Sequence, residues 1–426
     1  MPTQLQNACE GLLTRQMHAV ALKEKCIEKE MVEQVAKGYA VLPSNNNHSN
    51  LEPEIVGRKF RTKVNANIGR SAECSSIEIE LKKLENAILA GADFIMDLSV
   101  GSNLKTIRHE LIKACPKPFG TVPIYEAVSR LDGNTLKISR ELLLDVVTEQ
   151  AEQGVDFMTI HAGILKNYVP IALQRRAGIV SRGGAILAEW MITHNRENPF
   201  YENFDELLKI CAKYDVTISL GDGLRPGCLA DAGDTAQFSE LNTLAELVKS
   251  CRKAGVQVMV EGPGHVPFNK IEEQIKREAD LCDNAPFYVL GPVVTDLAAG
   301  YDHISASIGA TAAATAGASL LCYVTAAEHL GLPTPEEVYE GVIAFKIAAH
   351  AADIAKGIPD ARNRDDAMTD ARVAFDWEKQ FQIALDGKKA RARFEQNSKY
   401  LSSTKDHCTM CGASFCAMKI SKRLKK

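Results

Sequence analysis

The stretch "CTMCGASFC" puts Cys408, Cys411 and Cys416 in a C-x2-C-x4-C spacing near the end of a 426-residue chain. Thiols grouped this way hold metal. A structural zinc wants four ligands in a closed tetrahedron, commonly two C-x2-C pairs. Here the second pair is missing, and His407 is the neighbour able to complete a Cys3His set. A [4Fe–4S] cluster also takes four ligands, so three thiolates leave one iron open. An open iron can chelate S-adenosyl-L-methionine through its amino and carboxylate groups. Spacing alone admits both metals.

A second group of reactive side chains stands at the C-terminal ends of short apolar runs. They are Met96, Asp97 and Ser99, then Tyr125, His161, Ser181 and Arg182, Asp222 and Arg225, Glu261 and His265, and Tyr288, with His329 after the last run. A lone histidine at a strand end is usually a hydrogen-bonded structural group, but eight polar ends in register would share one face. "VEGPGHVP" and "AAEHLGLP" place His265 and His329 on loops where they either share a divalent metal, zinc or iron, or are unrelated loop histidines. "NANIGRS", "VSRGG" and "GDGLRPG" are glycine-bearing turns. Their free N–H groups, beside Arg182 or Arg225, suit a phosphate or carboxylate. None is a Walker loop or dinucleotide fingerprint, and ordinary turn chemistry explains any one of them.

The elements that must position these groups are eight strand candidates between Phe94 and Thr325: FIMDLS, TVPIYEA, FMTIHAG, GIVSRGG, VTISLGDG, VQVMVEGPGH, FYVLGPVV and SLLCYVT. Helix-compatible segments such as Arg140–Gln153 and Leu241–Ala254 separate them. Continuous apolar strands alternating with helices are parallel and buried on both faces. Eight such units predict an α/β fold of the (β/α)8 TIM-barrel type, with an open doubly wound sheet as the alternative. The expected boundaries are an N-terminal helical segment and loop at 1–60, the barrel at 61–333, a charged helical extension at 334–400, and a cysteine tail at 401–426 reached through the polar linker "NSKYLSSTKD".

Composition sets further bounds. The chain is 46% hydrophobic and 24% charged with net charge −4, which gives no basic excess for nucleic acid. The uncharged stretch from Ile304 to Ala327 is long enough for a bilayer but rich in Ala, Gly, Ser and Thr. It reads as a buried helix running into a buried strand, not as a membrane span. The first residues show no charged n-region or apolar h-region, so a cytoplasmic location is expected. Most of the nine other cysteines then read as small buried apolar groups, and disulfides are not expected.

With these residues in hand, the chain resembles the phosphomethylpyrimidine synthase (ThiC) family. The shared strings include "NANIG", "MDLS", "GTVPIY", "GVDFMTIHAG", "GIVSRGG", "SLGDGLRPG", "VEGPGHVP", "APFYVLGP", "GYDHI", "EHLGLP", "KIAAHAAD" and "CTMCGASFCAMKI", in the family's order from about residue 8 to the end. The resemblance implies a radical S-adenosylmethionine enzyme that rearranges 5-aminoimidazole ribonucleotide in a barrel. It also implies a reduced [4Fe–4S] cluster on a C-terminal arm exchanged across a homodimer, and an electron donor. Carried over position by position, the cluster ligands are Cys408, Cys411 and Cys416, and the metal ligands are His265 and His329. The substrate contacts are Asn67, Met96, Tyr125, His161, Ser181, Arg182, Gly183, Asp222, Gly223, Leu224, Arg225, Glu261 and Tyr288, with acid–base work expected of His161, Asp222 or Glu261. The chain departs from the family pattern at Ala298-Ala299 for Ala-Pro, Ala326 for Pro and Val100 for Thr. Loss of proline reshapes a loop. On these wall changes the expected product is 5-hydroxybenzimidazole for the cobalamin lower ligand, with the thiamin pyrimidine phosphate as the alternative. A zinc-stapled barrel hydrolase is the distant third reading.

Overall fold

The computed structural model describes residues 1–71, 74–398 and 406–424. The chain divides into two compact units, Met1–Lys356 and Gly357–Lys426.

The first unit is built on eight parallel strands that close into a barrel. They are β1 (Lys63–Ile68), β2 (Phe94–Asp97), β3 (Phe119–Thr121), β4 (Phe157–Ile160), β5 (Thr217–Leu220), β6 (Val258–Glu261), β7 (Phe287–Leu290) and β8 (Leu320–Cys322). Each pairs with the next, and β8 closes on β1 with Leu321 opposite Val64 and Cys322 opposite Asn65. Runs such as FIMD, FMTI and FYVL are mostly apolar and almost wholly buried because helices cover the outside and side chains fill the inside. Phe94 and Phe157 meet edge to face at 5.8 Å, a contact worth about 0.5–1.5 kcal/mol beyond burial.

Six of the eight expected strands form. "TVPIYEA" joins its strand only at Thr121: β3 lies upstream at Phe119–Thr121, and Pro123 opens the helix Pro123–Ser129. "GIVSRGG" forms no strand: Val180 is exposed, which a barrel strand buried on both faces does not permit. Ser181 instead caps the helix Arg182–His194 through the Gly184 N–H at 3.2 Å. The strand in its place is β1, "KVNANI", part of which the glycine-bearing turn "NANIGRS" covers. Its polar residues, Asn65 and Asn67, alternate with Val64 and Ala66 and hide the apolar signal.

The barrel also extends beyond its expected end. Helix Pro335–Lys356 packs between helices Asp302–Ala316 and Ile77–Ala90, so it completes the outer ring after β8. The boundary expected at 333 is therefore a loop inside the first unit. Helix Asp302–Ala316 followed by β8 accounts for the uncharged stretch, and among the described residues no helix is long and apolar enough to cross a membrane.

The N-terminal helices Gln4–Cys9, Arg15–Glu24 and Glu28–Ala36 carry a smaller core around Met17, Val20, Met31, Val35 and Phe60. Burial would raise Glu24, but the Lys63 and Arg61 charges outweigh it and hold it at about 2. The 3.1 Å Lys63–Glu24 pair thus ties this segment to the start of β1. The loop after it is ordered by His48, whose ring meets Asp156 at 2.7 Å and the Cys115 carbonyl at 2.9 Å.

In the second unit, helices Asn363–Ala374, Trp377–Ile383 and Gly387–Ser398 pack around a Trp377–Phe394 stack at 4.4 Å. The helices Gly412–Phe415 and Ala417–Leu424 carry the cysteine segment. Most of the expected linker lies outside the described residues.

Candidate active site

The C-terminal ends of the barrel strands surround a pocket enclosing about 460 Å³. Asn67, Met96, Tyr125, His161, Asp222, Arg225, Glu261 and Tyr288 line it together. Eight residues spread over 222 positions of sequence are therefore neighbours, because they sit on or just after seven different strands, Asp222 and Arg225 sharing the turn after β5. In (β/α)8 barrels this is the face where chemistry occurs.

The pocket's electrostatics come from burial. His161 is buried, neither ring nitrogen has a partner, and burial followed by the Arg225 charge pushes it down to about 3. It is a neutral imidazole with one donor and one acceptor to offer. Glu261 accepts from Thr159 at 2.6 Å and from Ser219 at 2.5 Å, yet burial and the nearby Asp222 push it up to about 7. It can hold or release a proton at neutral pH. Asp222 is likewise raised by burial against the pull of Arg225, whose Nε lies 3.2 Å from Asp222 Oδ1. Asp222 Oδ2 has no partner. Burial opposes the charge on Arg225, but Asp222 and Glu261 outweigh it, so the guanidinium stays charged. Arg182, exposed at the rim, lies over the Tyr125 ring at 4.8 Å.

The other expected contacts shape the wall. Gly183 lies against His161: a Cβ there would come within 2.5 Å of the ring. Gly184 presses on the turn after β5, where a Cβ would meet the Gly223 carbonyl at 2.1 Å. Ser181 Oγ lies 3.4 Å from Arg225 Nη2. Leu224 is buried, and its N–H donates to Glu240 at 2.7 Å.

Three polar groups in or beside the pocket escaped the sequence reading. Cys322 lines the pocket and accepts from Asn67 Nδ2 at 3.1 Å, its thiol pushed by burial up to about 11. Thr159 lines it too and holds Glu261. Asn65, beside the pocket, donates to the Tyr288 hydroxyl at 2.7 Å and to Asn67 at 2.8 Å. All three lie within strands, and period-two alternation inside β1, β4 and β8 was the signal available.

His265 and His329 stand with ring centroids 5.4 Å apart. His265 Nδ1 meets Asp296 at 2.8 Å and His329 Nδ1 meets Asp302 at 3.4 Å. A carboxylate on Nδ1 leaves Nε2 as the ligand atom, the usual arrangement behind a metal-bound histidine. The donor pair suits a divalent ion that takes its remaining ligands from water or substrate. Among the described residues no three His, Cys, Asp or Glu side chains converge as a single-ion site.

In the second unit, Cys408, Cys411 and Cys416 fold back on one another. The Gly412 N–H donates to the Cys408 carbonyl at 3.1 Å, and Cys416 separates the two short helices. Burial raises the Cys411 thiol, and the charges of Cys408 and Cys416 raise it further. Three adjacent thiols fit an iron–sulfur cluster, which spreads its ligands more widely than a single ion. His407, the candidate fourth zinc ligand, is buried with Nδ1 2.9 Å from Asp406.

Of the product-directing departures, Val100 lines a cavity of about 1050 Å³ with Arg70, Arg182 and Tyr323, which adjoins the reaction pocket through Asn67, Leu98 and Leu290. Ala298, Ala299 and Ala326 line neither it nor the reaction pocket.

A buried acid–base pocket at the mouth of a parallel barrel, with a three-thiol segment in a second unit, defines an iron–sulfur barrel enzyme. The chain belongs to the radical SAM ThiC family, whose model matches residues 3–423. That family's chemistry uses S-adenosylmethionine and an iron–sulfur cluster. The chain is 56% identical to a phosphomethylpyrimidine synthase of Natronomonas pharaonis over 99% of this chain and 88% of that protein. It is 54% identical to one of Haloarcula marismortui over 98% and 87%. Among solved structures it is similar to a dihydropteroate synthase of Coxiella burnetii, at 12% identity and a TM-score of 0.43, covering 70% of this chain and 94% of that one. That likeness is too distant to bear on function.

Proposed function

We infer that the enzyme is a phosphomethylpyrimidine synthase, converting 5-aminoimidazole ribonucleotide into 4-amino-2-methyl-5-phosphomethylpyrimidine for thiamin. The carrying observation is that eight positions matched to the family's ribonucleotide contacts line one pocket. The relatives' names favour this product, and the expectation of 5-hydroxybenzimidazole gains no support from them.

Arg225 supplies a fixed buried positive charge, and Arg182 a second at the rim, for an anionic ribonucleotide. His161, Asn67 and Tyr288 offer neutral polar groups that orient the base and sugar without competing charge. Glu261 holds or releases a proton near neutral pH, with Asp222 as its charged neighbour. Cys408, Cys411 and Cys416 would hold the [4Fe–4S] cluster, which when bound supplies the electron that makes radicals from S-adenosylmethionine. His265 and His329 would hold a divalent ion, zinc or iron, at the rim. The cluster arm is exchanged within a homodimer, and an external donor reduces the cluster. Complementation tests the function: the gene restores growth of a thiamin-pyrimidine auxotroph, and failure of a soluble, cluster-loaded protein to do so counts against it. Arm exchange is tested by mixing Cys411→Ala with His161→Ala subunits, which regain activity in a verified heterodimer if arms cross.

A further inference from the structure

We propose that Glu240 is a positioning residue that fixes the turn carrying Asp222 and Arg225 into the reaction pocket. The proposal rests on the ribonucleotide reading for what that turn binds.

Glu240 lies on helix Thr235–Lys253, is buried, and its Oε2 accepts from the Leu224 N–H at 2.7 Å. The Gly223 N–H lies near enough to the carboxyl to favour its charged form. These are amides of the turn itself, and without the carboxyl the Leu224 N–H would be buried and unsatisfied. The fit is close: a Cβ on Gly223 would lie 3.1 Å from Glu240 Oε1, and one on Gly163 would lie 3.1 Å from its Cγ.

The same helix grips the far end of the turn. Its capping residue, Asp234, accepts from Gln237 N at 2.9 Å and forms a two-pronged pair with Arg175, both contacts at 2.7 Å. Arg175 in turn donates to the Arg225 carbonyl at 3.3 Å. One rigid helix thus fixes both sides of the residues that present Asp222 and Arg225.

On the other side of Glu240 lies a cavity of about 380 Å³ that also touches Asp222, Arg225 and Glu261. Glu240 Oε1 has no partner there. The cavity is the space into which the turn relaxes if the clamp is cut. Burial and then the Asp222 charge push Glu240 up to about 8, so at neutral pH it is mostly a neutral acid. Glutamine, neutral and of the same shape, keeps an acceptor for the Leu224 amide. Aspartate, one methylene shorter, withdraws it.

The experiment uses the full chain. Hydrogen exchange reads the 221–227 segment, calorimetry reads aminoimidazole ribonucleotide binding, and steady-state kinetics on the cluster-loaded enzyme separates KM from kcat. Glu240→Ala and Glu240→Asp should speed exchange of the segment about tenfold or more. They should raise Kd and KM about tenfold with kcat within about threefold, and Glu240→Gln should stay within about threefold of wild type throughout. If Glu240→Ala fails to fold, Glu240→Asp carries the test. Unchanged exchange, faster exchange with unchanged Kd, or a Gln variant as damaged as the Asp variant overturns the proposal. If wild type itself does not bind the ribonucleotide, the substrate reading falls, and the exchange arm still decides whether Glu240 holds the turn.

Discussion

Gly183→Ala should damage ligand binding more than folding. The new methyl carbon would sit 2.5 Å from His161 Cε1 and 2.6 Å from Nδ1, closer than any real contact. One group must move. The helix Arg182–His194 is held by the Ser181 cap and by the close approach of Gly184 to the Gly223 carbonyl, so its backbone has no room. The His161 ring has no hydrogen bond to hold it and faces the 460 Å³ pocket, so it swings there. Overpacking of this kind costs about 1–3 kcal/mol. Taken from binding at 1.4 kcal/mol per decade, that is roughly a 5- to 140-fold rise in Kd for the ribonucleotide. Calorimetry on the cluster-free protein and a urea unfolding curve separate the two effects. Gly184→Ala is the contrast: its clash is with backbone, so it should lower the unfolding midpoint. A Gly183→Ala protein that binds like wild type, or loses as much stability as Gly184→Ala, would refute the reasoning.

Three further outcomes follow from the geometry. Glu278 is buried with neither carboxylate oxygen paired, and burial pushes it up to about 8 against the Arg58 and Arg252 charges. Between its unfolded value near 4.5 and about 8 the folded chain keeps a proton the unfolded chain has lost, so its contribution to stability falls as pH rises. Glu278→Gln should therefore gain stability relative to wild type from pH 5 to pH 8, by on the order of a few kcal/mol; a pH-independent difference in urea midpoints contradicts this. Any one of Cys408→Ala, Cys411→Ala or Cys416→Ala should abolish the brown cluster absorption and leave far-UV dichroism unchanged, because the cysteines lie outside the barrel unit; loss of the dichroism contradicts it. Asp296→Asn should weaken divalent metal binding at His265 by about 10–100-fold in a chelator competition, and unchanged affinity argues against a metal there.

What the sequence revealed, and what it hid, has a physical pattern. Strands β2 and β4 to β8 were legible because their apolar runs are nearly continuous, whereas β3, only Phe119–Thr121, was placed too late, on residues that Pro123 turns into a helix. Strand β1 was not legible, because Asn65 and Asn67 face polar partners inside the barrel. The false strand at "GIVSRGG" had the right composition, but its Val180 is exposed. Helix Pro335–Lys356 looked like an extension because charges are spread along it, while its buried side mixes Val338, Val342 and Phe345 with the small Gly341, Ala348, Ala349 and Ala352. Site residues on loops were legible from local motifs. Glu240 and Cys322 were not, since neither has a motif and their roles appear only when distant elements meet. Spacing could not decide whether His265 and His329 are neighbours; the fold puts their rings 5.4 Å apart.

The central claim is the product. The full chain with its cluster reconstituted should be incubated anaerobically with 5-aminoimidazole ribonucleotide, S-adenosylmethionine and a strong reductant, and the products identified by mass. The expected result is a phosphorylated aminopyrimidine, made by wild type and lost in Cys411→Ala. Hydroxybenzimidazole without phosphate, or no conversion by a fully loaded enzyme, would contradict it.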